Sequence, residues 1–334
     1  MTTIHRTLGP ALAGLAALAA LTTTPPARAD LPLPVKEMSA AEINALSGLP
    51  YLSPSNQTFR MAAAVQVSAY DKGAPLQGVQ RSSGAAAAVY RSLPVQASPP
   101  PLLPPMPAGS ALFDHAQTGD HAQSWATMAA DGKPYLHARG FGEFGAEATA
   151  SWTTSLVVPA GGSREVVLRF VLPPASVAGY TEQDGIGRWR SRLRGEVLVN
   201  GFPAWSTEAL RLTIEPKVQS DNLSETIVLQ QFGQAMSFPT NDEDAGSGND
   251  SSAATVNSQS TQRVVHLSLG RFDPGAAVDL SMILRASALT VPAAPNGSDH
   301  RCKYNNAAAR YYCSRSSVTL NGAGAEPPRI YLVP

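Results

Sequence analysis

The sequence predicts an all-β protein: a β-sandwich of jelly-roll or immunoglobulin-like topology, with one short N-terminal helix and a Pro-rich loop or linker. The 334 residues include 27 Gly and 28 Pro, which indicates frequent turns. Charged residues make up only 15%, well below the roughly 25% of an ordinary soluble domain, so few charged helical faces are expected. Eight or more short apolar runs alternate with turn residues, a pattern typical of sandwich strands.

The first 29 residues have the three regions of a secretory signal peptide. Arg6 precedes an apolar run at 11–21, and the small-residue site Ala27–Ala29 follows. The apolar run is shorter than the roughly 20 residues that a membrane helix needs. We therefore expect cleavage after Ala29, export to the periplasm or the extracellular space, and no membrane span in the mature chain. The alternative is an uncleaved N-terminal anchor.

Residues 30–110 form a predicted N-terminal segment. Ser39 and Glu42 have the spacing of a capping box, which predicts a short helix that ends by Gly48. Runs at 59–70 and 85–93 have strand character. Seven Pro between 94 and 107 predict a loop or linker, because Pro donates no hydrogen bond to a sheet. The segment either adds edge strands to the sandwich or forms a small appendage.

Residues 111–334 are the predicted sandwich domain. Turn residues at 159–162 predict a hairpin-type break between its first two strands. The strand candidates are the runs 148–158, 164–172, 188–199, 202–214, 226–238, 263–269, 277–289, 317–320 and 330–333.

The clearest turn is Asn200–Gly201, because Asn-Gly between two apolar runs is the strongest short-range hairpin signal. A two-residue turn pairs Val199 with Phe202 and fixes the register of both strands. One face should then be buried, formed by Trp189, Leu193, Val197, Val199, Phe202, Leu210 and Leu212. The opposite face should carry Arg188, Arg190, Arg192, Arg194, Glu196, Trp205, Thr207 and Arg211. Glu208 falls on the apolar face in this register, which indicates either a sheet edge or a β-bulge.

The arginines at alternate positions of the first strand are a candidate ligand-binding row. They lie roughly 7 Å apart along one face, and each guanidinium can pair bidentately with a carboxylate or sulfate. With Trp205 and Arg211 beside it, this face suits an acidic polysaccharide. The alternative is a solvated face whose arginines pair with Glu or Asp of neighbouring strands.

A second basic and aromatic cluster surrounds the two cysteines, Cys302 and Cys313. Their short separation predicts one local disulfide in an oxidising compartment, and a two-Cys metal site is the alternative. A stapled loop loses little entropy on binding, so it suits either a recognition rim or a structural cover for the end of the sandwich. The candidate binding residues here are Arg301, Lys303, Tyr304, Arg310, Tyr311 and Tyr312.

An acidic stretch at 241–250 contains the candidate calcium ligands Asp242, Asp244 and Asp250. Ca²⁺ takes six to eight oxygen ligands, but the order here is not that of an EF-hand. The alternative is an ordinary polar loop. No other cofactor is expected.

The net charge of the mature chain and a search for catalytic motifs limit the classes of function. Removal of Arg6 and Arg28 from 25 basic residues against 25 acidic ones leaves a net charge of −2, which argues against nucleic-acid binding. Neither G-x-S-x-G nor H-E-x-x-H is present. The signal region, the Ala-rich alternating strands and the late Cys pair resemble secreted β-sandwich proteins of Gram-negative bacteria.

We therefore expect an exported, non-enzymatic binding or structural protein that engages acidic glycan at the cell envelope or outside the cell. One alternative is a polysaccharide-active hydrolase or lyase on the same scaffold. The other is a surface-assembly or protein-interaction subunit with an envelope protein as partner.

Overall fold

A computed structural model gives the architecture of the chain. The structure describes residues 35–71, 74–93, 121–141, 144–181, 187–219, 222–232, 240–245, 254–292, 303–305, 310–312 and 315–334. The predicted signal peptide and the Pro-rich stretch lie outside the described residues. In the described part of the chain, no helix is long and apolar enough to cross a membrane.

The N-terminal part alternates short and long strands around one helix, α1 (Ala40–Asn44). Its strands are β1 (Lys36–Glu37), β2 (Tyr51–Leu52), β3 (Arg60–Asp71), β4 (Ala74–Gly84) and β5 (Ala87–Leu93).

The remainder is entirely strand and connection in the described residues. The strands in its first half are β6 (His121–Met128), β7 (Pro134–Phe141), β8 (Phe144–Val157), β9 (Arg164–Leu172), β10 (Ala175–Thr181), β11 (Gly187–Val199), β12 (Phe202–Gln219) and β13 (Asn222–Phe232). Those in its second half are β14 (Thr240–Ala245), β15 (Ala254–Ser260), β16 (Arg263–Phe272), β17 (Ala277–Pro292), β18 (Lys303–Asn305), β19 (Arg310–Tyr312), β20 (Arg315–Asn321) and β21 (Arg329–Val333).

Three antiparallel sheets confirm the all-β, sandwich-type fold. Sheet I has the strand order β1-β16-β9-β21-β2, sheet II has β13-β12-β11-β17-β8-β3-β4, and sheet III has β14-β15-β10-β20-β7-β6-β5. Strands β3, β8 and β17 of sheet II lie against β6, β7 and β20 of sheet III. Inward side chains of all three sheets, such as Trp152, Leu136 and Leu168, belong to one buried core.

The N-terminal strands are part of that core. β3 lies between β4 and β8 in sheet II. Its alternate residues Met61, Ala63, Val65 and Val67 are buried, as period-2 alternation requires when one face of a sheet is covered. β4 is an end strand of sheet II and β5 an end strand of sheet III in the described part.

The capping box predicted from Ser39 and Glu42 is confirmed. Glu42 N donates to Ser39 Oγ at 3.4 Å, and Ser39 N donates to Glu42 Oε2 at 2.8 Å. The helix ends before Gly48, which has φ 79°. Leu46 then packs with Val167 and Tyr331, so this segment covers part of the outward face of sheet I.

The break at 159–162 is not a hairpin, and this prediction was wrong. β8 pairs with β3 and β17 in sheet II, whereas β9 pairs with β16 and β21 in sheet I. The two-stranded ribbon β8/β17 turns a corner and continues as β9/β16. At the corner Val158 N donates to Ala276 O at 3.0 Å, and Gly275 N donates to Val158 O at 2.8 Å. The turn residues at 159–162 therefore connect a strand of sheet II to a strand of sheet I.

The predicted Asn-Gly hairpin is confirmed at its turn and wrong beyond it. Asn200 and Gly201 have φ values of 53° and 85°, and Val199 pairs with Phe202, as in a two-residue hairpin turn. The register then shifts, because Val197 pairs with Trp205 while Leu198 pairs with Pro203. Ala204 is the extra residue of a β-bulge, at a place where Pro203 offers no N–H.

The bulge reverses the faces predicted for β12. Trp189, Leu193, Val197 and Val199 are buried as predicted. Phe202 is 55% exposed. Leu210 pairs with Arg192, hence on the face away from the core, where it is half-buried, and the backbone of Leu212 pairs with that of Arg190. The residues that reach the core instead are Thr207 and Ala209.

Candidate functional site

The outward face of sheet II carries Arg190, Arg192 and Arg194, three of the arginines that were predicted to bind a ligand. We call it the arginine face. One row crosses six strands through paired residues: Arg81, Ala64, Thr149, Arg285, Arg194 and Glu208. Among the side chains described on this face, the basic ones are Arg60, Arg81, Arg190, Arg192, Arg194 and Arg285, and the acidic ones are Glu147, Glu196, Glu208 and Asp279.

Two arginines of the predicted row are held by carboxylates. Arg192 Nη2 lies 2.6 Å from Glu208 Oε2. Arg194 pairs with Glu196, and Arg285 Nη1 lies 3.6 Å from the other oxygen of Glu196. The bulge explains the first pair, because it moves Glu208 onto the arginine face. These pairs hold the guanidinium groups in fixed positions. Arg192 pairs with a carboxylate of a neighbouring strand, as the alternative interpretation of the row expected, whereas Arg194 pairs with a carboxylate of its own strand.

Arg81 and Arg190 differ from Arg192 and Arg194 in their exposure and in their partners. Both side chains are exposed. Within the described residues neither has an ion-pair partner, and Arg190 is flanked across the sheet by Leu212 and Leu289. Arg285 is also 52% exposed in its side chain. The arginine face therefore keeps cations that point to solvent beside those already paired.

A shallow groove of about 330 Å³ lies on the arginine face, between Arg81 and Arg285. Its floor consists of small side chains because Ala, Ser and Thr occupy the outward positions of β3, β4 and β8. The lining includes Ala62, Ala64, Arg81, Ser83, Thr149 and Ser151. Small residues let a ligand approach the sheet, and their hydroxyl groups can hydrogen-bond to it.

Trp205 lies on the opposite face from the one predicted. The bulge places it opposite Val197, toward the core. Its ring packs edge-on against Phe170 with centroids 5.3 Å apart, and its Nε1 donates to Glu37 Oε1 at 3.1 Å. Arg263 holds the other oxygen of Glu37 at 2.6 Å. Trp205 therefore anchors β1 to the core and does not flank the arginine row.

The backbone places the remaining arginines of the hairpin. Arg188 pairs with Val291, at one end of the row. In the backbone register Arg211 pairs with Ser191 and not with an arginine of the predicted row.

The second predicted cluster is only partly described. β18 and β19 form a two-stranded sheet in which Lys303 pairs with Tyr312, Tyr304 with Tyr311, and Asn305 with Arg310. Arg301, Cys302 and Cys313 lie outside the described residues. The disulfide therefore stays a prediction.

The candidate calcium ligands are also partly described. Asp242 and Asp244 belong to β14, an end strand of sheet III, and pair with Asn257 and Thr255. Asp250 lies outside the described residues. In the described ranges no three His, Cys, Asp or Glu side chains come together in a metal-binding arrangement.

Sequence analysis missed an aromatic group on the outward face of sheet III. Trp125 and Tyr135 are half-buried, with ring centroids 6.4 Å apart and planes inclined by 25°. Trp125 pairs with His137 across β6 and β7, and His137 pairs with Thr319 of β20. The signal was present, because polar and apolar residues alternate on both sides of Asp131–Gly132, a typical hairpin turn dipeptide.

His137 is neutral at physiological pH. Burial and, to a smaller extent, the positive charge of Arg139 together lower the pKa of its imidazole to about 3. Its Nδ1 lies 3.1 Å from Thr319 Oγ1. This side chain therefore offers hydrogen-bonding groups without a charge.

Comparison with protein-family models and with curated proteins finds no match to this sequence.

Proposed function

We propose that this protein is an exported, non-enzymatic sandwich that binds an acidic polysaccharide across the arginine face. The observation that carries the proposal is the row in which Arg81 and Arg285 stand on either side of the small-residue groove. Three strand spacings separate them, or about 14 Å. A polyanion lying across the strands would meet a cation on each side and hydroxyl groups between.

The ion pairs on the face support this function. Glu208 contacts Nη2 of Arg192, and Glu196 contacts Nη2 of Arg194. Each guanidinium has five N–H groups, so others remain for further contacts. Six arginines against four carboxylates leave the described part of the face positive, although the whole chain has no net charge.

The groove favours binding over catalysis. Its lining has one ionisable side chain, Arg81. Hydrolysis of a glycosidic bond uses two carboxyl groups about 5 to 10 Å apart on either side of the bond. The lining of this groove has the chemistry of recognition, so a hydrolase or lyase is the less supported alternative.

The test is retention of the mature protein on immobilised alginate and immobilised heparin, which present carboxylates and sulfates. We expect elution by salt from at least one of them, because exposed charges are screened over about 10 Å at 0.1 M ionic strength. An Arg81→Ala, Arg285→Ala double variant should elute at clearly lower salt.

Arg271→Ala is the matched control, since Arg271 is an exposed arginine on sheet I. Equal loss of retention in the control and the double variant would show nonspecific charge attraction. Absence of retention on both columns would overturn the proposal.

A further inference from the structure

We propose that the outward face of sheet III is a second glycan site, which binds a neutral hexopyranose chain by stacking on Trp125 and Tyr135. We call these two residues with Thr127, His137, Thr319 and Asn321 the aromatic face. The inference goes beyond the proposed function, because it concerns the opposite side of the sandwich and a ligand without charge.

The backbone fixes the aromatic pair. Thr127 pairs with Tyr135, and Trp125 pairs with His137, so Trp125 and Tyr135 are diagonal neighbours on adjacent antiparallel strands. The turn that joins β6 to β7 closes with Ala129 N donating to Lys133 O at 2.9 Å, and Gly132 has φ 83°. Both strands are interior strands of sheet III. Side chains on a paired sheet lose little freedom on binding.

The ring geometry suits a sugar. The two rings are stacked with centroids 6.4 Å apart and planes inclined by only 25°, so they have nearly the same orientation. Pyranose rings have an apolar C–H face and a rim of hydroxyl groups. Such a ring packs on an aromatic face, while its hydroxyl groups need donors and acceptors nearby.

Those polar groups surround the aromatic pair. Thr127 and Asn321 pair with Tyr135 across β6 and β20, and all of these side chains are half-buried. His137 and Thr319 continue the row beyond Trp125.

The chemistry here differs from that of the arginine face. The side chains of the aromatic face are hydroxyl, amide, ring N–H and neutral imidazole groups, since the pKa of His137 is far below neutrality. The charged side chain nearest to His137 along its strand is Arg139, which pairs across the sheet with Gln123 and Ser317. A neutral chain meets its hydrogen-bonding needs here without a carboxylate or sulfate.

The test is affinity gel electrophoresis in native gels that contain hydroxyethyl cellulose, laminarin or galactomannan. We expect at least one of these neutral polysaccharides to slow the wild-type protein. Trp125→Ala and Tyr135→Ala should each weaken that retardation about tenfold in affinity, the equivalent of about 1.4 kcal/mol. Phe202→Ala is the matched control, because it removes an aromatic side chain that is 55% exposed at the hairpin turn.

A fluorescence measurement covers the case in which an alanine variant does not fold. The chain has four Trp; Trp152 and Trp189 are buried, and Trp205 packs on Phe170. The bound polysaccharide should protect tryptophan emission from acrylamide quenching, and this protection should disappear in Trp125→Phe. Protection that persists in Trp125→Phe, or no retardation by any of the three polymers, would overturn the inference. The Arg81→Ala, Arg285→Ala variant should bind the neutral polymer normally, which separates the two proposals.

Discussion

The indole of Trp189 lies directly against the backbone of Gly179. A Cβ atom placed on Gly179 would lie 2.2 Å from Cδ2 and from Cε3 of that ring. Both residues are buried, Trp189 to 1% exposure. The largest side chain of β11 therefore fits between the sheets only because β10 has no side chain at this position.

Gly179→Ala should destabilise the protein by about 1 to 3 kcal/mol or more, the range for overpacking of a close-packed core. Urea unfolding of the wild type and the variant measures the difference. Adding Trp189→Leu to Gly179→Ala should remove the steric conflict, so the double variant should lose less than the sum of the two single losses. Additive losses would show that the two residues are not in conflict.

Asn200→Ala should cost about 1 to 2 kcal/mol of the free energy of unfolding. Asn200 is the described non-glycine residue with positive φ, and its Oδ1 accepts from Asp279 N at 2.8 Å. The substitution strains the turn and leaves that N–H without its partner. Asn200→Asp keeps the acceptor and is the control. A smaller loss in Asn200→Ala than in Asn200→Asp would contradict the assigned role of this hydrogen bond.

Stability should fall as the pH drops from about 6.5 toward 5. The folded-state pKa of His137 is lowered to about 3 from 6.5, so the unfolded chain binds more protons in this interval. The contribution is fully present above pH 6.5 and decreases on acidification, by up to about 1.4 kcal/mol per pH unit.

Urea unfolding at pH 7.5, 6.5, 5.5 and 5.0 measures this slope. His137→Gln keeps a polar side chain that does not titrate, so it should flatten the profile. His266, whose pKa is also lowered by burial and by Arg169, supplies the slope that remains. Identical profiles for wild type and variant would show that His137 is not the group that titrates.

The cysteines should form one intramolecular disulfide. Cys302 and Cys313 are eleven positions apart, a separation that lets the chain fold back to within the Cα distance that a disulfide requires. Intact mass without reduction should show two hydrogens missing. Two free thiols in the purified protein would contradict the prediction.

Sequence reasoning predicted the local features and failed where distant segments decide the structure. The capping box at Ser39 and the Asn200 turn depend on neighbouring residues, and both are present. The register of β12 depends on a bulge beside Pro203, which was visible as a proline inside a strand candidate. The crossing at 159–162 could not be told from a hairpin, because a turn does not indicate which partner a strand will find.

The same dependence on distant segments explains why local sequence patterns did not predict the groups of residues on the two outward faces. Alternation placed Arg190, Arg192 and Arg194 on one face, but no local pattern connects Arg81 with Arg285, which lie 204 positions apart. Trp125 and Tyr135 are close in sequence, and the alternation around them predicts a hairpin. The polar side chains next to this pair could not be predicted locally, because Thr319 and Asn321 come from the distant strand β20.

The corner at Val158 and Ala276 has a mechanical consequence. Two strands cross together from sheet II to sheet I and stay hydrogen-bonded to each other through the bend. A force that pulls the two sheets apart loads both strands in parallel, and neither sheet can peel away while the ribbon is intact. Tension between the two sheets is thus carried by continuous backbone and not only by side-chain packing.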